Sequence, residues 1–100
     1  MEMFNPSHPG RIVREFLSEK ITVSFLAKHL RMTRANLSMI LNGRLGISAS
    51  VALKLGEAFP NQDAHFWLAL QSQYDLAKAR KKKRTKIAPL FKKTAFKKAA

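Results

Sequence analysis

Between Thr22 and Arg44 the chain reads TVSFLAKHLRMTRANLSMILNGR, two short helical patterns with almost no connection between them. Val23, Leu26, Ala27 and Leu30 fall at i, i+3, i+4 and i+7, one apolar stripe of 3.6-residue period. Leu37, Ile40 and Leu41 repeat that spacing ahead of Asn42-Gly43, a usual helix stop. Thr33 stands where the second helix needs an N-cap, because its hydroxyl can accept from an unpaired amide of the first turn. Only Arg31 and Met32 remain as linker. So short a join suits a helix-turn-helix, in which the second helix is held across the first for insertion into a major groove.

If Leu37, Ile40 and Leu41 face inward, Ala35, Met39 and Asn42 point roughly the other way, with Ser38 on the flank. No Asp or Glu occurs from Lys20 to Gly56, so this outer face carries no charge that repels phosphate. Arg34, Asn36 and Ser38 are the candidates for base-edge contacts, and Ala35 for a thymine methyl. Thr33, Ser24, Lys28, Asn42 and Arg44 are the candidates for positioning on the sugar-phosphate backbone. Ala27 is small enough to let two crossing helices approach. Arg31 occupies a turn position where the backbone can need positive φ, at a cost on the order of 1 kcal/mol for a non-glycine residue. Periodicity alone is equally compatible with two ordinary bundle helices whose polar faces are merely solvated.

Three further segments extend the pattern: Asn5-Pro6-Ser7-His8-Pro9-Gly10, then Leu41-Asn42-Gly43-Arg44 with Gly46-Ile47-Ser48, and finally Phe66-Trp67-Leu68, Leu70-Gln71 and Tyr74-Asp75-Leu76. In order and spacing they resemble the NPxHPG, LNG(R/K)xxIS and FWLxLQxxYDL segments of HigA-type antitoxins, of the XRE or lambda-repressor-like helix-turn-helix family. The likeness covers roughly residues 4 to 80. It implies an all-α, five-helix, lambda-repressor-like DNA-binding domain that dimerises and binds a palindromic operator in double-stranded DNA. It also implies pairing with a RelE/HigB-like ribonuclease toxin. The chain departs from the family pattern at Arg31, at Arg11, where Glu is usual after HPG, and in its basic carboxyl end.

One hundred residues, 46% of them hydrophobic, suit a single small core. We divide the chain into a helix-turn-helix domain at 1–79, its motif at about 22–44, and a basic tail at 80–100. Pro9 reads as the first position of a helix capped by His8 or Ser7, with Ile12, Val13, Phe16 and Leu17 inward and Arg11, Glu15 and Glu19 as an outer ion-pair row. Ser48 caps a fourth helix burying Val51, Ala52, Leu55 and Phe59, which Pro60-Asn61 ends. A fifth starts near Asp63, with Trp67, Leu70, Tyr74 and Ala77 as its stripe and Phe66 at the flank. These aromatics serve either the core or a dimer or toxin interface.

The net charge of +13 is lopsided: up to Asp75 eight Lys and Arg face six acids, whereas the remaining residues hold eleven basic side chains and no acid. Such a block is expected to extend or fray, either solvated or touching phosphates beside an operator. Ile87, Leu90, Phe91 and Phe96 are its candidates for docking back on the body.

The absence of Cys excludes disulfides and thiolate metal sites, and His8, His29 and His65 form no chelating pair on one helix face. Neither a cofactor nor an enzymatic activity is expected. No apolar run approaches the ~20 residues of a membrane helix, and the amino terminus has no export pattern, so the expected location is the cytoplasm. The function expected is that of an antitoxin in a type II toxin-antitoxin module, a homodimeric autorepressor. The alternatives are a stand-alone regulator of the same fold without a toxin partner, and a toxin-inhibiting module with DNA binding secondary.

Overall fold

Every helix begins on a polar side chain that accepts from its own first turn. The computed structural model describes residues 6–92, and they contain α1 (Pro9–Arg14), α2 (Val23–His29), α3 (Arg34–Leu41), α4 (Ala49–Ala58) and α5 (Ala64–Lys81). Their caps are His8, Thr22, Thr33, Ser48 and Asp63. Helices of six to ten residues, as α1 to α4 are, are marginal alone, so each such cap, worth roughly 1 kcal/mol, decides where a helix starts. The five expected helices are present, with the cap at Thr33 and the inward set Leu37, Ile40 and Leu41, but Phe16 and Leu17, expected on the inward stripe of the first helix, lie beyond its end and are half-buried. Thr22, which caps α2 by accepting from Phe25 N–H, is a hydroxyl signal of the same kind as Thr33.

α1 packs on α3 and α5, α2 on α3, and α4 along α5. Their shared core holds Val13, Leu26, Ala27, Leu30, Leu37, Ile40, Leu41, Ile47, Ala52, Leu55 and Trp67. Each fully buried Leu or Ile contributes roughly 1.5–3 kcal/mol of apolar transfer. Phe16 stacks on Phe59 at 4.3 Å between ring centres, joining the turn after α1 to the end of α4. Gly10 makes the α1–α3 approach possible: a Cβ there would collide with the backbone carbonyl of Ile40. The start of α1 is thus pressed against the last turn of α3.

Two expectations are corrected, and one open choice is decided. α1 stops at Arg14, so Glu15 and Glu19 do not continue a row begun by Arg11 on one helix. Trp67 is wholly buried, with its Nε1–H donating to the Gln62 carbonyl at 3.1 Å, so of the two roles left open for it, core and interface, it fills the core. Ile87, Leu90 and Phe91 do not dock on the body; they are 80%, 92% and 85% exposed. Asn5 and Phe96 lie outside the described residues. Among the described residues no helix is long and apolar enough to cross a membrane.

Candidate nucleic-acid interface

The two helices of the motif end in the same way. Leu30 is the last helical-type residue of α2; beyond it Arg31 N–H donates to the Lys28 carbonyl at 3.1 Å and Met32 N–H to Ala27 at 2.8 Å. After α3, Gly43 N–H donates to Ile40 at 3.0 Å and Arg44 N–H to Met39 at 2.8 Å. Both are Schellman closures, which need a left-handed residue just past the helix. Gly43 supplies it with φ 75°, and Arg31 with φ 58°. Arg31 is the only non-glycine with positive φ among the described residues, which places the strain where the sequence located it.

With its ends fixed, α3 presents an outer face free of acidic residues. Thr33, Arg34, Ala35 and Asn36 are exposed around its first turn, and Thr33 Oγ1 accepts from Asn36 N–H at 3.0 Å. The positive end of the helix dipole adds to Arg34 there, and no acidic side chain in the first turn opposes it. Met39, 42% exposed, adds an apolar contact surface further along. On α2, Ser24 and Lys28 are exposed four residues apart, and Arg44 is exposed in the loop beyond α3. Of the nine residues singled out from sequence, eight are exposed and Ser38 is half-buried.

Ser38 and Asn42 are not independent of the body. Arg14 Nη2 donates to Asn42 Oδ1 at 2.8 Å and approaches the Leu41 carbonyl at 3.5 Å. Asn42 Nδ2 in turn donates to Ser38 Oγ at 3.4 Å. This chain of side chains orients the outer face of the last turn of α3 from α1. Sequence reasoning missed Arg14, since no local pattern joins residues 28 positions apart. Gln71 was missed for the same reason: it is buried in α5, where Oε1 accepts from Ile47 N–H at 2.8 Å and Nε2 donates to Asp75 Oδ1 at 2.9 Å. It thereby pins the loop that carries Arg44.

His8 closes the same end of the domain. Its Nδ1 accepts from Gly10 N–H at 2.9 Å and its ring meets Tyr74 edge-on at 4.8 Å. Burial lowers its pKa below 6.5, Asp75 works against that shift and Lys78 with it. The neutral imidazole is therefore the form that caps α1. Among the described residues no group of His, Asp or Glu could hold a metal ion.

No family model matches the chain. The virulence-associated protein A' of Dichelobacter nodosus is 46% identical over 90 residues, covering 89% of this chain and 78% of that protein. An addiction-module antidote protein of the HigA family from Coxiella burnetii superposes with a TM-score of 0.71 at 40% identity, over 77% of this chain and 85% of that one. The chain belongs to the HigA-type antitoxin family of helix-turn-helix proteins. The HigA antitoxin of Pseudomonas aeruginosa, solved with the higBA promoter, superposes at 0.69 with 43% identity over 75% of this chain and 83% of that one. The five-helix architecture is that of these HigA relatives.

Proposed function

We propose that this HigA-type chain is the antitoxin of a type II toxin-antitoxin module and acts as a homodimer that represses its own operon. α3 enters the major groove of a palindromic operator, with half-sites about one helical turn apart or a multiple of it. Arg34, Asn36 and Ser38 read base edges and Ala35 packs on a thymine methyl. Thr33, Ser24, Lys28, Asn42 and Arg44 set the register on phosphates. The observation that carries this reading is the exposed, acid-free and doubly capped α3, in a fold shared with an antitoxin solved on its promoter. The same chain neutralises a RelE/HigB-like ribonuclease by covering it.

A mobility-shift assay on the DNA upstream of the chain's own coding region tests the first part. Preference over scrambled duplex by about 10³-fold or more is expected at physiological salt. A preference below tenfold rejects operator binding. Sedimentation should give a dimer, and co-expression with the product of the adjacent reading frame should yield a stable complex. A neighbour that neither copurifies nor is toxic alone leaves a regulator without a toxin.

A further inference from the structure

The residues assigned to the operator do not include the basic run at 82–86. α5 carries Lys78, Arg80 and Lys81 in its last turn, where about half a unit of negative helix dipole awaits them. Beyond them Lys82 adopts extended backbone, and every residue from Lys82 to Lys92 is exposed. Nothing in this stretch joins the core, and like charges at 82, 83, 84 and 86 keep such a chain extended in water.

The point at which the stretch leaves the body limits what it can reach. Lys78 borders one cleft with Arg44 and Ser48, the segment that follows α3. It borders a second with Lys82, Lys83 and Arg84. The basic run therefore departs beside the carboxyl end of α3, next to a residue already assigned to phosphate. Asp75, the acid at that junction, is held by Gln71. Eleven extended residues span up to about 36 Å, close to one turn of duplex. Pro89 breaks the amphipathic helix that a membrane surface would need.

We propose that residues 82–92 form an arm that lies along the phosphates of duplex DNA flanking the half-site, on the side of the α3 carboxyl end. This rests on the operator reading above. The arm lengthens the footprint and adds affinity without base preference, because Lys and Arg on irregular backbone meet only the regular line of phosphates.

The test uses the full chain and a full-length variant carrying Lys82→Gln, Lys83→Gln, Arg84→Gln and Lys86→Gln. The probe is a duplex selected by the chain from random sequence, flanked by about 10 bp on each side. Binding is measured from 50 to 200 mM salt. The slope of log K against log salt should fall by about 2 to 4 units per arm, at ~0.9 per phosphate, with unchanged circular dichroism. Trimming the flanks should bring the unsubstituted chain to the variant's level. Equal slopes overturn the arm, and so does a difference that survives trimming. A loss confined to single-stranded RNA or to phosphatidylserine vesicles overturns it as well. In those three cases preference for the selected duplex persists and the operator reading stands. Loss of that preference in the unsubstituted chain removes both.

Discussion

Replacing Arg31 with Gly should make this protein more stable, although it deletes a residue in the middle of its most characteristic motif. Arg31 and Gly43 do the same geometric work after α2 and α3, with φ of 58° and 75° and the same pair of closing hydrogen bonds. An L-residue in the left-handed region costs roughly 1–2 kcal/mol through the approach of Cβ to the following carbonyl. Glycine removes that cost but adds about 0.4–1 kcal/mol of unfolded-chain freedom to be lost on folding. The net gain is about 0.5–1 kcal/mol. The Arg31 carbonyl still accepts from Lys54 Nζ, at 3.3 Å, whichever side chain is present. For a domain of this size the melting temperature should rise by about 2–8 °C, and the urea midpoint should move up at constant slope. Gly43→Ala should do the reverse and cost about 1 kcal/mol. Arg31→Ala keeps the φ penalty and should stay within about 0.5 kcal/mol of the native chain. If Arg31→Ala stabilises as much as Arg31→Gly, the gain comes from losing a charged side chain and the backbone argument is wrong.

Three other outcomes follow from the geometry. Arg34→Ala should weaken operator binding by roughly 1–3 kcal/mol and relax preference at one base position; uniform weakening on every sequence would reassign Arg34 to phosphate. Arg14→Ala frees Asn42 and Ser38, so the ratio of specific to scrambled binding should drop several-fold, with a stability loss on the order of 1 kcal/mol. Arg14→Lys, which keeps the charge but not the fork, should not restore that ratio, and full rescue by Lys would refute the side-chain chain. Because burial lowers the His8 pKa, the unfolded state binds the proton more readily, and stability present above about pH 6.5 is lost as pH falls through the folded-state value. His8→Asn keeps a capping acceptor without a titrating ring, so its melting temperature should decline less between pH 7 and 5 than that of the native chain.

What could be read directly from the residue order is what short-range chemistry controls. The caps at Thr33, Ser48 and Asp63, the stop at Gly43 and the strain at Arg31 each depend on a hydroxyl, carboxylate or φ within three or four residues of the atom it serves, whereas the choice between His8 and Ser7 at α1 was decided only by the structure. The inward stripe of α3 was equally plain, since a 3.6-residue period sorts its faces without knowledge of the partner. Trp67 shows the limit. Its amphipathic ring fits a core or an interface equally well, and only the docking of α4, α5 and the turn after α1 encloses it.

Long-range pairings stayed hidden for a related reason. Arg14 on Asn42 and Gln71 on Ile47 join polar groups 28 and 24 residues apart, and neither belongs to a periodic pattern. Their worth depends on burial and orientation that arise after the helices have packed. The apolar residues of the tail err in the opposite direction: Ile87, Leu90 and Phe91 look ready for a core, yet they stay exposed, and repulsion among the neighbouring lysines and arginines opposes their return. Local propensity was enough to specify five helices and the bare face of α3. Which side chains steady that face, and where the basic run sets out from, were settled by contacts between elements distant in the chain.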